Sequence, residues 1–408
     1  MADAMIVSVG GTPAPIVKSI GHFKPKFVVF FASQDTADQV TAIKSETGRN
    51  GVTFRSEMTL VDDVNDLLTC NDKAEEAVRR VSVKGHHKDD VIVDYTGGTK
   101  NMSVALALAA ITHGFSFSYV GGDERTKSGT GTVIDGQERV YQSVNPWDLL
   151  GIEEKKKIGL LFNQCQYKAA KELADSLANR STRHRTLFRK VGFLVEGYYL
   201  WDLFRHKQAL ERFGKARIDE IIEGEDRGAR KFAQETQHSV AFLENLTKEI
   251  SKPSRLLLLD LYSNAERRIR EGKIDDAIFR LYRLVEMMAQ EALLVRHAID
   301  TSNVEITRLP HAIRQAIVDK YKNPRDGKVK IPQAAAFELL AALNDPLGCT
   351  FAENIHRFLN VQQARNYSYL AHGFGSSKES TYKDLRDFVL GLGTLEGADA
   401  PMFPEMAL

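Results

Sequence analysis

The sequence predicts an α/β domain followed by an all-α remainder. Two observations carry that prediction. Residues 1 to about 148 alternate apolar, β-branched runs with helical patterns, the signature of a doubly wound, mostly parallel sheet. From about 149 onward apolar residues recur every three or four positions, which reads as helix throughout. A chain of 408 residues is long enough for two or three domains with full cores.

The strand-like runs are 5–9 (MIVSV), 26–31 (KFVVFF), 90–95 (DVIVDY) and 115–120 (FSFSYV). Helical patterns lie between them, notably 62–82 and 100–113. After 120 a Gly-rich hairpin is expected ("GGDERTKSGTGTVIDGQERVYQSV"), closed by Asn145-Pro146-Trp147. Residues 149–252 read as a helical connector whose two long patterns faintly suggest a repeat hairpin. Within it, "RSTRHRTLFRK" reads as a solvated basic loop between helices. A third, all-α segment opens near Pro253, with two helices broken around Gly272, a polar connection ("YKNPRDGKVKIP"), a helix over 332–344 and another over 351–372. The expected division is therefore 1–148, 149–252 and 253–408.

Composition narrows the function classes. The chain is 43% hydrophobic and 27% charged with a net charge of +1, so any nucleic-acid contact must be local. Cys70, Cys165 and Cys349 are scattered without a CxxC, which disfavours disulfides and zinc. The start, MADAMIVSVGG, lacks the basic region of a signal peptide, and the most apolar run, Val104 to Ile111, is too short to span a bilayer. The expectation is a cytoplasmic protein without a membrane partner.

Two loops follow strands directly: Gly10-Gly11-Thr12-Pro13, and "DYTGGTKNMS" over 94–103. In a doubly wound sheet, ligands bind beyond the carboxyl ends of strands near the switch point. Gly97 and Gly98 permit a tight turn, Thr99 caps the next helix, and Lys100 adds charge where free N–H groups already favour an anion. Neither loop matches GxGxxG or GxxxxGK[ST], which disfavours a nicotinamide enzyme or a P-loop NTPase. The pair points to a phosphate-bearing ligand, a nucleotide. His86-His87 reads as a solvated turn, no metal site being evident, and His113 as a helix C-terminal cap before Gly114.

The stretch "RNYSYLAHGFG" (365–375) carries the second constellation. Arg365 and His372 are seven apart, so on a helix they share one face yet stand ~10.5 Å apart along the axis. The stripe Phe358, Gln362, Arg365, Tyr369, His372 begins apolar and turns polar, which fits a face opening on a cleft or a partner subunit. A histidine in a last turn before Gly373 can titrate near neutral pH and exchange protons; an arginine suits a phosphodiester.

Taken together, "SVGGTPAPIVKSI", "VDYTGGTKNMS", "YVGGDERTKSGTGTVIDGQE…NPW", "DDAIFRLYRLVEMMAQ" and "RNYSYLAH" resemble the CRISPR-associated CARF–HEPN ribonucleases, stand-alone effectors of type III systems. The resemblance covers nearly the whole chain. It implies a Rossmann-like CARF sensor of cyclic oligoadenylates, with a ring of four or six adenylates as activator and no cofactor, and an α-helical HEPN RNase module. It implies a homodimer in which two motifs meet, acting on single-stranded RNA without stable association with the CRISPR effector complex.

The resemblance further implies metal-independent attack of a ribose 2′-hydroxyl, giving a 2′,3′-cyclic phosphate. His372 would be the acid or base, Arg365 would neutralise the phosphate and Asn366 would support them; Glu286 could hold Arg365. Gly10, Gly11, Thr12, Thr96, Gly97, Gly98, Thr99, Lys100 and Asn101 are implied as activator-binding residues, and Thr and Lys groups there would allow slow cleavage of the ring. A nucleotide-sensing regulator whose HEPN part binds RNA or protein without cleaving is the competing reading.

Overall fold

The computed structural model describes residues 2–122, 139–142, 145–366, 374–397 and 400–408. Two compact units are present: residues 1–155 with 175–188, and residues 156–174 with 189–408.

In the first unit the strands are β1 (Ala4–Ser8), β2 (Phe27–Ser33), β3 (Arg55–Val61), β4 (Val91–Asp94), β5 (Ser116–Gly121) and β6 (Arg139–Gln142). They form one sheet in the order β3-β2-β1-β4-β5-β6, parallel except for β6, which runs antiparallel to β5. β1, β2 and β4 are buried along their whole lengths, as strands covered on both faces must be. The covering helices are α1 (Ala14–Phe23), α2 (Gln39–Arg49), α3 (Leu67–Val83) and α4 (Lys100–Ile111). The chain builds outward from β1 through β2 to β3, then returns to place β4 on the other side of β1. That reversal makes the carboxyl ends of β1 and β4 the switch point.

The doubly wound sheet is as the sequence predicts, with one addition. β3 was not anticipated. It lies at the sheet edge with Arg55, Met58 and Leu60 exposed, so its sequence lacks the continuous apolar run of its neighbours. The expected hairpin has its two strands in β5 and β6; its tip falls outside the described residues. α4 ends at Ile111, and His113 Nδ1 lies 3.2 Å from the Ala109 carbonyl before Gly114 at φ 72°, a cap as expected.

From residue 147 on, all described elements are helical apart from an isolated bridge between Lys322 and Val329. They are α5 (Trp147–Asn163), α6 (Tyr167–Arg180), α7 (Arg185–Asp202), α8 (His206–Ala216), α9 (Ile218–Ile222) and α10 (Arg227–Glu249). There follow α11 (Arg255–Arg270), α12 (Ile274–His297), α13 (His311–Tyr321), α14 (Gln333–Ala342), α15 (Pro346–Glu353), α16 (Ile355–Asn366) and α17 (Glu379–Gly391). The basic run is the turn from α6 to α7, and it wraps Asp148: Ser181, Thr182 and Arg183 all donate to that carboxylate. Gly272, at φ 72°, separates α11 from α12 as expected.

Of the helix expected over 351–372, the stretch 351–366 is instead divided between two helices, and 367–372 lie outside the described residues. At Asn354 the backbone leaves helical geometry (φ −108°, ψ 12°), and its side-chain Nδ2 donates to the Thr350 carbonyl at 2.9 Å. An asparagine that serves its own backbone in this way terminates a helix.

The second unit also buries charge. Asp202, 6% exposed, accepts from Arg267 Nε at 2.8 Å, from Arg268 and from Asn264 Nδ2. Beside it Phe403 packs on Trp201 and Tyr198, with the Arg267 guanidinium 3.9 Å over its ring.

Candidate functional site

The two glycine loops meet. Ser8 at the end of β1 donates to the Gly97 carbonyl at 2.6 Å, which joins the loop after β1 to the loop after β4. A Cβ on Gly97 would stand 2.4 Å from the Ser8 carbonyl oxygen and 2.6 Å from Gly10 N, so only glycine allows this approach. Gly10 is nearly as restricted, 3.0 Å from Gly98 N, and Gly98 adopts φ 79°. Gly11 meets no atom within 4 Å. Gly10 and Gly97 thus close the junction, Gly98 supplies the left-handed turn, and Gly11 lies open at the surface.

Buried hydroxyls and one carboxylate fix the loop after β4. Asp94, fully buried at the end of β4, accepts from the Thr96 N–H at 2.9 Å and from the Ser19 hydroxyl of α1. Burial pushes its carboxyl above the usual range, against the hydrogen bonds from Ser19 and Thr96. Ser103 of α4 donates to the carbonyls of Tyr95 and Gly97, each at 3.1 Å. Thr96 accepts from the Val120 N–H at 2.7 Å, tying the loop to β5.

Thr99 caps α4, accepting from Met102 N–H at 3.3 Å. Asn101 Nδ2 donates to the Val64 and Asn65 carbonyls, at 3.3 and 2.8 Å, and so holds the segment before α3. Thr12 and Lys100 are exposed. The result is a loop junction at the start of α4, where that helix's first N–H groups and Lys100 favour an anion. Tyr95 stacks on Tyr119 (5.8 Å) beside it.

Gly10, Gly11, Thr12, Thr96, Gly97, Gly98, Thr99, Lys100 and Asn101 therefore fall in one region. Sequence reasoning did not single out Ser8, Ser19, Asp94 or Ser103. All four sit within the two stretches that carry the glycines, but nothing in a linear pattern pairs Ser19 with Asp94, 75 residues on.

In the second unit, Phe358 and Gln362 of α16 face α12. Phe358 stacks on Tyr282 at 5.4 Å, and Gln362 Nε2 donates to the Tyr282 hydroxyl at 2.8 Å. Asn366, the last residue of α16, is exposed. His372 and Tyr369 lie outside the described residues, as does the side chain of Arg365. Glu286 on α12 pairs with Arg283 at 2.9 Å.

His86 stacks on Phe27 (5.8 Å), and His87 lies 3.6 Å from Asp89. Among the described residues no group of three or more His, Cys, Asp or Glu is placed to hold a metal, and no helix is long and apolar enough to cross a membrane.

The model of the Csm6 6H domain matches residues 150–243, and that of the Csm6 HEPN domain matches residues 246–396. Among solved structures, Enterococcus italicus Csm6 bound to cyclic hexa-2′-fluoro-hexa-dAMP is similar over 98% of this chain and 96% of that one, at 12% identity and TM-score 0.63. At that identity the likeness is one of fold.

Two other structures overlap more loosely. Can2 from Sulfobacillus thermosulfidooxidans in complex with cyclic tetra-adenylate is 15% identical, over 61% of this chain and 68% of that one, at TM-score 0.26. Protein VC1899 from Vibrio cholerae is 9% identical, over 61% and 70%, at TM-score 0.26. No curated protein matches the chain.

A doubly wound sheet with paired glycine loops at its switch point, followed by an all-helical region carrying a HEPN module, defines the CARF–HEPN class. Within that class the chain is a Csm6-like CRISPR effector.

Proposed function

We propose that the chain is a cyclic-oligoadenylate-activated endoribonuclease that cleaves single-stranded RNA as a homodimer. The observation that carries this reading is the Csm6 HEPN model's match over 246–396, which spans Arg365, Asn366 and His372. Support on the sensor side comes from the junction of the two glycine loops at the start of α4, where a helix N-terminus and Lys100 favour a phosphate-bearing ligand. The ligand named with the E. italicus structure is of that chemistry. Residues 1–148 form the sensor in this reading, 149–252 the connector and 253–408 the nuclease.

In the reaction His372 takes the proton of the ribose 2′-hydroxyl or returns one to the leaving 5′-oxygen. Arg365 neutralises charge building on the phosphate, and Asn366 donates beside it. The products are a 2′,3′-cyclic phosphate and a 5′-hydroxyl. Because the attacking oxygen belongs to the substrate, no metal-activated water is required. In the sensor, this reading assigns any slow cleavage of the activator ring to the exposed Thr12 hydroxyl and Lys100 ammonium, since Thr96 and Thr99 already bind backbone.

The test is cleavage of a fluorescent single-stranded RNA in EDTA, with cyclic tetra-adenylate, cyclic hexa-adenylate or neither. Cleavage with one ring, lost in His372→Ala, is expected. Activator binding without cleavage by either ring would instead favour a regulator whose HEPN part does not cut.

A further inference from the structure

Between α13 and α14 the chain concentrates charge of one sign. Residues 320–330 hold five cations (Lys320, Lys322, Arg325, Lys328 and Lys330) against Asp326 alone, in a chain whose net charge is only +1. All five are exposed. Asp326 reaches Lys330 at 3.8 Å, a long ion pair, whereas Lys322, Arg325 and Lys328 have no carboxylate partner among the described residues.

The stretch is a built hairpin. The Asn323 N–H donates to the Lys328 carbonyl at 2.8 Å, and the Gly327 N–H to the Asn323 carbonyl at 2.9 Å. Gly327 takes the left-handed conformation, φ 66°. The Asn323 and Asp326 side chains accept from the Arg325 and Lys328 N–H groups, at 2.8 and 3.0 Å. Val329 is 1% exposed, and backbone bonds from Val304 to Val329 and from Ile331 to Thr301 tie the returning arm down. With Val329 inward, Lys328 and Lys330 point outward together.

Like charges held in fixed positions repel one another, and a polyanion relieves that repulsion while shedding its own counterions. Carboxylates nearby do not cancel the patch: Glu305 pairs with Arg308 at 2.7 Å, Asp319 accepts from Gln315, and Glu338 of α14 acts on Lys320. Position names the polyanion. The hairpin runs straight into Pro332 and Gln333, which line a cavity that Gln362 of α16 also lines; Asn366 ends that helix one turn on. The foot of the hairpin and the last turns of α16 thus border one cavity.

We propose that the 320–330 hairpin is a docking surface for the phosphate backbone of the RNA substrate, held by Lys322, Arg325 and Lys328. The proposal rests on the ribonuclease reading above. Contacts of this kind set how tightly a strand is held and carry no base preference.

The experiment follows binding of a fluorescent single-stranded RNA by anisotropy across a range of salt concentrations, with the activator-loaded full chain carrying His372→Ala as parent. Three variants of that parent are compared. One combines Lys322→Ala, Arg325→Ala and Lys328→Ala; another keeps the charge with Lys322→Arg and Lys328→Arg. The control combines Lys207→Ala, Lys215→Ala and Lys252→Ala, exposed lysines elsewhere in the second unit. Each backbone contact on a single strand contributes about 0.7 to the slope of log affinity against log salt. The hairpin triple should therefore flatten that slope by about 2 and weaken binding about tenfold at low salt, equally for A, C, G and U homopolymers. The arginine pair should bind as the parent does. With His372 intact, the hairpin triple should raise KM and leave kcat unchanged.

An unchanged slope in the hairpin triple, an equal loss in the control, weakening for one base alone, or no RNA binding by the parent overturns the proposal. Weaker binding with the slope intact assigns these residues a structural part and overturns it as well. If the chain with His372 intact cleaves nothing, the ribonuclease reading fails, while the salt slope of RNA binding still decides the hairpin.

Discussion

In the proposed reading, the sensor loops and the end of α16 meet the same problem, placing groups around a phosphate, by opposite means. At the sensor, backbone does the work. Ser8, Ser19, Asp94 and Ser103 lock two loops against each other, and Gly97 admits no other side chain. At α16 the proposed groups are the side chains of Arg365, Asn366 and His372, and the described part of the helix is anchored through Phe358 and Gln362 to α12. A site made of backbone is fixed by folding and tolerates little change. A site made of side chains is separable from the fold, so its chemistry can be removed with the scaffold intact.

The largest break in that comparison should come from His372→Ala. General acid–base groups contribute about 10²–10⁴-fold, so cleavage should fall by that much while the melting temperature and activator affinity stay put. A matching loss of activator affinity would show that the two regions are not separable in this sense. Gly97→Ala should do the reverse. Overpacking against Ser8 and Gly10 should cost the first unit about 1–3 kcal/mol in thermal or urea unfolding and abolish activator binding by calorimetry. Gly11→Ala, with open space around it, is the control and should stay within about 0.5 kcal/mol.

Asp94 sharpens the point through pH. Its carboxyl titrates above the ordinary value of 3.8 in the fold, so the folded state holds a proton the unfolded chain has released. Its contribution to stability therefore falls as pH rises from 3.8 to the raised folded value, then levels off. Asp94→Asn should remove that slope in melting curves against pH, whereas Asp94→Ala should cost about 1–3 kcal/mol below pH 3.8, by orphaning Ser19 and Thr96, and less as the pH rises. The smallest effect is Tyr282→Phe, about 1 kcal/mol for the Gln362 bond, read as a lower melting point of the second unit.

These regions also differ in how far the sequence disclosed them. β1, β2 and β4 were legible because strands buried on both faces must be continuously apolar; β3 was not, because an edge strand keeps polar residues such as Arg55 and Glu57. The glycine loops were legible from their residues, since turns leave a local signature. The hydroxyl network beneath them was not, because Ser8 and Gly97 are 89 positions apart and only the fold joins them. The helical break at Asn354 was hidden for a different reason: the periodicity of apolar residues runs through it, and a single side chain decides the geometry.

The ion cluster around Asp202 has a consequence for how this chain can vary. Asp202 is the shared acceptor of Arg267, Arg268 and Asn264, and Asn264 in turn accepts from Arg280. Removing one member of a buried pair strands the other at about 3–5 kcal/mol, a large part of a domain's whole stability. Single replacements there start from a deep disadvantage, while a joint change of the group need not. Over descent, these positions should be inherited as a block, changing together or not at all.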